Sequence, residues 1–432
     1  MTPPVLVRWM LAPPFAAAVV VSLVLIGLAA LLSRPDVAFV GLPLAIGAAW
    51  AWDRRPPRTS APHLTGRLDR LPEDGTLGYR LSLEHADGIE SVRLRVTAPH
   101  GRSHEVVLDG RALTGVRGSV PVSHTGVQDL VRAEIVAVAS DGAFAFEPAQ
   151  HLVLEGIIAP TVRPIAALPL PRHLPGLTGN HDSTRAGEGG DFRDIGLFAP
   201  GDRLKRIDWK ATVRRAQNTG ELYARRSSAT ADATVILVID SRDDIGSRVD
   251  AWGLAGSNTE GRTSMDVARE AASSLAAAYI KAGDRVGLRD LATQRRSVSD
   301  GAGTRHLERL QRAVALARPS GMPQRRERAP LVAVGSLIYV LSTFLDDEAS
   351  RMANIWRAAG HRVIAVDVLP APVTAGASRE LALALRLVLA ERDERIHELR
   401  ARGVELLRWE DEGERTVESQ LRALSRPSRR SA

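Results

Sequence analysis

No cysteine occurs among the 432 residues. Disulfides, thiolate metal sites and a cysteine nucleophile are therefore excluded, and folding does not depend on the redox state of the compartment. A strong charge excess is also missing: 57 Lys and Arg face 50 Asp and Glu, a formal net charge of +7 spread along the chain. So small an excess fits an anionic lipid surface at least as well as nucleic acid, which would demand steeply salt-dependent affinity. Two catalytic signatures are absent as well. There is no Gly-x-Ser-x-Gly elbow, and no glycine-rich loop that follows a strand and ends in Lys-Ser or Lys-Thr. A hydrolase would have to rest on Asp208 with His181 or His306, and no nucleophile–base arrangement is visible. An enzyme is not expected.

Charge itself disappears from Trp9 to Ser33, where the run AAAVVVSLVLIGLAALL is almost wholly apolar. Its length matches the roughly 20 residues that a helix needs to cross a bilayer. After Ser33–Asp36 a second uncharged run extends from Val37, with small residues at Ala45, Gly47, Ala48 and Ala49 for close packing on the first. Trp50 and Trp52 suit an interfacial belt. Residues 1–60 thus read as an anchor with two transmembrane helices, at about 9–32 and 37–52. No small-x-small cleavage site precedes charged sequence, which argues against a signal peptide. If both runs span, Arg8 on one flank and Arg54, Arg55 and Arg58 on the other predict that both ends, and the soluble domains, are cytoplasmic; if only the first spans, the rule leaves the side of the soluble part open.

Residues 61–160 alternate apolar and polar side chains in short runs, such as Tyr79–Leu83, Val92–Val96 and Val131–Val138. Turn pairs such as Asp74-Gly75 and Asp141-Gly142 separate them. This period of two predicts an antiparallel β-sandwich, with Ig-like topology suggested by strand count. Residues 161–186 form a connector in which Pro164, Pro169, Pro171 and Pro175 favour extended chain, and Thr178–Gly190 is expected to be irregular.

From residue 230 to 432 apolar runs alternate with helical spacing. Ala233–Ile239, Arg285–Leu288, Leu337–Leu341, Val363–Val368 and Val404–Arg408 predict strands. Met265–Ala282, His306–Ala317, Ser350–Ala359 and Glu380–Arg400 predict helices. Alternating β and α elements imply an α/β fold with a mostly parallel sheet covered on both faces. Ahead of them, in residues 187–229, stand Gly190-Asp191-Phe192, Pro200-Gly201-Asp202, Ile207-Asp208-Trp209-Lys210 and Arg214. By chemistry alone, Trp209 reads as a packing anchor and Asp208 as a helix cap or a partner for Arg214.

That spaced set resembles the signature of the bacterial domain-of-unknown-function-58 family, over about residues 187–410. The resemblance implies a von Willebrand A-like, doubly wound sheet behind a transmembrane hairpin and a small β domain. It also implies multi-pass residence in the bacterial inner (plasma) membrane and partnership with MoxR-type AAA+ ATPases and other membrane or envelope proteins. The lipid bilayer is a further partner, and nucleic acid is not expected. The role implied is an adaptor that helps assemble or mature other proteins.

Von Willebrand A domains can hold Mg²⁺ through Asp-x-Ser-x-Ser, a threonine and a late aspartate. Here the first stretch is Asp240-Ser241-Arg242-Asp243-Asp244, so Arg242 and Asp244 stand at the serine positions. Thr304 is the candidate threonine, and Ser342-Thr343-Phe344 lacks the late aspartate. A guanidinium cannot coordinate a cation and would repel one. No cofactor is therefore expected: Asp240, Asp244 and Thr304 are at most a degenerate metal set, and Arg242 can pair with Asp240 or Asp244 instead. Asp240, Arg242, Asp243, Asp244 and Thr304, with the polar loop 243–263, form the candidate partner-binding surface. The alternative function is an Mg²⁺-dependent adhesion-type receptor with a rearranged site.

Overall fold

A computed structural model of the chain describes residues 8–56, 62–69, 75–84, 88–98, 103–109, 115–147, 150–171, 181–199, 202–218, 220–252, 261–293, 297–319, 326, 328–410 and 416–426. The chain divides into two compact units: Met1–Ser123 with Gln128–Gly156, and His124–Val127 with Ile157–Ala432.

The first unit opens with strand β1 (Arg8–Leu11), helix α1 (Pro13–Leu32) and helix α2 (Pro35–Asp53). The first apolar run therefore does not enter its helix at Trp9. Trp9 packs edge-on against Phe146, Ala12 stays extended, and Pro13 sets the first helical turn, where its missing N–H costs nothing. Both helices are long and apolar enough to cross a membrane, with mean hydropathies of 2.8 and 1.3. Their side chains face outward, as Leu23, Leu31 and Phe39 show. The helices approach closely at Gly41, where an added Cβ would lie 3.0 Å from that of Leu25, whereas a Cβ on Gly47 would meet nothing within 4 Å. Of the small residues expected to pack, Ala45 and Ala48 are half-buried in line with the buried Gly41, whereas Gly47 and Ala49 are exposed.

Strands β2 (His63–Leu68), β3 (Thr76–Glu84), β4 (Ser91–Thr97), β5 (Ser103–Asp109), β6 (Gly115–Pro121), β7 (Gly126–Ala139), β8 (Phe144–Glu147) and β9 (Gln150–Ile158) follow. They build two antiparallel sheets, β1-β8-β7-β4-β5 with β9 on β7, and β2-β3-β6. Residues alternate between buried and outward along β3 and β4, as a half-buried strand requires. Ala51, Ala143 and Phe144 form a small apolar cluster that Trp9 and Phe15 join.

The second unit begins with an extended segment and a bulged antiparallel ribbon, β10 (His181–Leu197) on β11 (Tyr223–Ala231). Of Thr178–Gly190, expected to be irregular, residues 178–180 lie outside the described residues and the rest is strand from His181 onward, with register shifts after Asp182 and Gly187. Between the ribbon strands lies the short helix α3 (Trp209–Arg215). The remaining elements are β12 (Thr234–Ile239), α4 (Ser264–Lys281), β13 (Arg285–Asp290), β14 (Val298–Gly301), α5 (Thr304–Ala315), β15 (Leu337–Ser342), α6 (Asp347–Ala358), β16 (Arg362–Asp367), α7 (Arg379–Ala401), β17 (Glu405–Arg408) and α8 (Val417–Ser425).

Their sheet runs β14-β13-β12-β15-β16-β17; four neighbouring pairs are parallel, and the edge pair β13–β14 is antiparallel. Every residue of β12 and β15 is buried, which is why both read as unbroken apolar runs. Val235, Leu237 and Ile239 face a core made with α4, α5 and α8, while Ile236 and Val238 face a core made with α6 and α7. Helix α4 is buried on nearly all sides, so it carries small residues (Ala271, Ala272, Ser273, Ser274) where an amphipathic helix would have a polar face. Its second neighbour is the proline-marked segment. Arg163 N–H donates to Ser274 Oγ at 2.9 Å, and the buried Tyr279 hydroxyl donates to Pro169 O at 2.6 Å.

Candidate functional site

In open parallel sheets ligands bind beyond the carboxyl ends of the strands, where chain connections leave in opposite directions. Here that place lies between β12, which continues to β13 on one side, and β15, which continues to β16 on the other. The last residues before the edge are Ile239 and Ser342, and Asp240 N–H donates to Leu341 O at 2.9 Å.

Arg242 fills this crevice. Its Nε and Nη2 donate to the two oxygens of Asp240 at 2.8 and 2.7 Å. Nη1 and Nη2 also reach the two oxygens of Asp346 at 2.5 and 2.8 Å. One guanidinium thus forks two carboxylates at once, the geometry in which arginine is strongest. Burial works against its charge, but the hydrogen bonds and charges of Asp240 and Asp346 outweigh that and raise its pKa. Ser342 Oγ adds a donor to Asp240 at 2.8 Å. Phe344, fully buried at a φ of 55°, makes the reversal that leads from Ser342 to Asp346, which caps α6 by accepting from Glu348 N–H. A bulky side chain in that left-handed region is strained, and the surrounding core holds it there.

The same edge carries two more aspartates that close strands. Asp290 accepts from the buried Ser241 hydroxyl at 2.6 Å and from Ala292 N–H at 2.9 Å. Asp367 pairs with the buried Arg392, whose Nε also donates to Thr343 O at 2.7 Å. Asp243 differs from all of these. It is half-buried and accepts no hydrogen bond from a described residue. Loss of water, reinforced by the charges of Asp240 and Asp346 and opposed by Arg242, pushes its carboxyl up to about 7.

Of the residues singled out by sequence, the fold brings Asp240, Arg242 and Asp243 together at this edge. Asp240 and Arg242 are buried, so they shape the site from within rather than offering themselves to a partner. Asp244 does not pair with Arg242: it is exposed and accepts from Met265 N–H at 3.1 Å. Thr304 belongs elsewhere. Because β14 runs antiparallel, Gly301 lies opposite Val286, near the amino ends of the parallel strands, and Thr304 starts α5 at that far edge. Of the polar loop 243–263, residues 253–260 lie outside the described residues. The loop ends in a capping box in which Thr263 and Asp266 satisfy each other's orphan groups. Asp266 also accepts from Thr125 N–H and from its hydroxyl, each at 2.7 Å, and meets His124 Nδ1 at 2.7 Å. Burial opposes its ionisation, yet the bonds from His124 and Thr125 prevail and hold the carboxyl down at about 2.

The signature segment splits into an inward and an outward half. Pro200 and Gly201 lie outside the described residues, and Gly190 and Phe192 lie on β10, where the backbone pairs with β11. Asp202 accepts from Ala199 N–H at 2.9 Å. Ile207 bridges to Ala224, Asp208 N–H donates to Tyr223 O at 2.8 Å, and the Asp208 carboxylate caps α3 by accepting from Ala211 N–H at 2.9 Å. Thr212 Oγ1 accepts from Tyr223 N–H at 2.9 Å. The helix is thereby pinned along one side. Trp209, expected as a packing anchor, is instead 65% exposed. Lys210 and Arg214 are exposed beside it.

A hard divalent cation needs several free oxygen ligands. All four carboxylate oxygens of Asp240 and Asp346 accept from Arg242 instead, and Thr304 is at the opposite edge. Among the described residues no group of three or more His, Asp or Glu is placed to hold a metal. The donors at this edge do not fit Mg²⁺.

Sequence reasoning missed the pairs Ser241–Asp290 and Arg392–Asp367. The available signal was an aspartate at or just after the end of three apolar strands, at 240, 290 and 367. Residues 194–373 match the family model described as protein of unknown function DUF58. No curated protein matches the chain.

Proposed function

From residues 194–373, which match the DUF58 family model, we propose a membrane-anchored adaptor whose second unit is a von Willebrand A-like, protein-binding domain that works without metal. The observation that carries this reading is Arg242, clasped by Asp240 and Asp346 where such a domain would place its cation. A fixed positive charge of this kind preserves the electrostatics of the edge and removes dependence on Mg²⁺. Strand order supports the fold assignment, since the parallel core strands end in one antiparallel edge strand, β14.

Anchoring is supported by α1 and α2, whose length and outward apolar side chains suit a bilayer. With arginines beyond both flanks, the two helices form a multi-pass hairpin in a bacterial inner membrane, and the second unit lies in the cytoplasm. The family resemblance supplies the partner class, a MoxR-type AAA+ ATPase engaged in assembling or maturing other proteins. Asp243, Asp244 and the half-exposed Asp346 are the groups of the carboxyl edge that a partner can reach.

The test is affinity capture of the full-length protein from native membranes, with and without ATP and with and without EDTA. Recovery of a MoxR-type ATPase that EDTA leaves unchanged supports the adaptor. Recovery of no ATPase, with capture of another protein only when Mg²⁺ is present, would replace it with a metal-dependent receptor.

A further inference from the structure

The outward half of the signature segment leaves its large apolar side chains outside the core. Leu204, Trp209 and Val213 are 74%, 65% and 84% exposed, and the last two stand one helical turn apart on the same side of α3. From Arg203 to Arg215 there are six cations and a single carboxylate, Asp208, which is committed to capping. Lys205, Lys210, Arg214 and Arg215 have no ion-pair partner among the described residues. Meanwhile Asp208 and Thr212 tie the helix to β11, so the apolar side chains cannot turn inward.

We infer that this exposed segment, with Leu204, Trp209 and Val213 among Lys205, Lys210 and Arg214, docks on the anionic headgroups of the bilayer that carries the chain. The inference rests on the membrane anchor proposed above. The composition is that of an interfacial element: an indole at headgroup depth, short apolar side chains beside it, and cations on long stems that reach phosphates. Three apolar side chains would hold a free protein to a membrane only weakly. Tethering by α1 and α2 keeps the bilayer at high effective concentration, so weak contacts suffice. Charge complementarity favours the anionic cytoplasmic leaflet over a neutral one.

Because the chain has no cysteine, one introduced cysteine labels one position. Full-length Val213→Cys carrying a nitroxide is reconstituted in nanodiscs of phosphatidylcholine, alone or mixed with phosphatidylglycerol. Collision with oxygen and with a water-soluble nickel chelate is then measured. In the anionic discs, chelate collisions should fall by about threefold and oxygen collisions rise, relative to neutral discs. Salt at about 0.5 M, or the added pair Lys210→Gln and Arg214→Gln, should reverse the change. A label at Val24→Cys in α1 reports the anchor separately. If that label sits among acyl chains while the one at Val213→Cys stays equally open to the chelate in both discs, docking is overturned and the anchor stands. If the Val24→Cys label itself meets the chelate, the anchor fails and the inference falls with it. Protection of Val213→Cys only after a soluble protein is added would overturn lipid docking in favour of a protein partner.

Discussion

The carboxyl edge of the sheet and the segment Asp202–Arg215 are both rich in charge, and they treat it in opposite ways. At the edge, Arg242 and Arg392 are buried and each is held by at least one carboxylate. On α3 the cations Lys210, Arg214 and Arg215 point outward, and the segment's two carboxylates are engaged elsewhere, Asp202 with Ala199 N–H and Asp208 as the helix cap. A buried charge is tolerable only when hydrogen-bonded and paired, so the edge had to become a closed network. An exposed cation costs little to leave unpaired, so the segment could stay open. Internal satisfaction therefore marks architecture, and its lack on a rigidly held helix marks capacity for an external partner.

The comparison breaks most decisively at Arg242. Arg242→Ala leaves Asp240 buried without its fork and should destabilise the second unit by about 3–5 kcal/mol. Denaturant unfolding of the full chain in detergent, followed by fluorescence of the buried Trp356 and Trp409, measures this. Arg242→Lys should recover only part of the loss, because an ammonium cannot fork two carboxylates. A change under about 1 kcal/mol for Arg242→Ala would show that the network is not structural.

Asp266 comes next. Its folded-state pKa of about 2 lies below the unfolded value near 4, so its contribution is complete above about pH 4 and lost as pH falls toward 2. Asp266→Ala should cost about 2 kcal/mol at pH 7 and flatten the acid limb of a stability–pH curve.

Asp243 has the opposite sign. With a carboxyl near 7 in the folded state, the unfolded chain ionises first as pH rises, and stability declines between about pH 4 and 7. Asp243→Asn should abolish that decline and stabilise the protein by about 2 kcal/mol at pH 8. An unchanged curve would mean that solvent reaches this carboxylate freely.

The smallest effect on stability is expected on α3. Trp209→Ser should change unfolding by less than about 0.5 kcal/mol, since an exposed side chain away from caps and cores contributes little. A large loss would return Trp209 to the role of anchor and erase the contrast between the two regions.

Much of this architecture was legible because local physics dictates it. The run of charge-free residues between Trp9 and Ser33 has no stable place in water except as a buried or membrane helix. The unbroken apolar strands at Ala233–Ile239 and Leu337–Leu341 could only be central, and both are. Strand β14 was missed because four residues of mixed polarity, Val298–Gly301, carry no period. That omission also misplaced Thr304: reversal of one edge strand carries whatever follows it to the other end of the sheet.

Residue types set which charges existed and which segments had to be buried; they also showed that Arg242 would repel a cation. Only the tertiary structure decided what took the cation's place. Asp240 and Asp346 are 106 positions apart, and parallel pairing of β12 with β15, followed by the turn at Phe344, brings both to one guanidinium. Trp209 gives the reverse lesson. Its size suggested a core, but the Asp208 N–H and the Thr212 hydroxyl tie α3 to the backbone of Tyr223, and the indole stays outside. Hydrophobicity says that a side chain gains by leaving water. It does not say where it can go; that depends on which face of its helix the rest of the chain has already claimed.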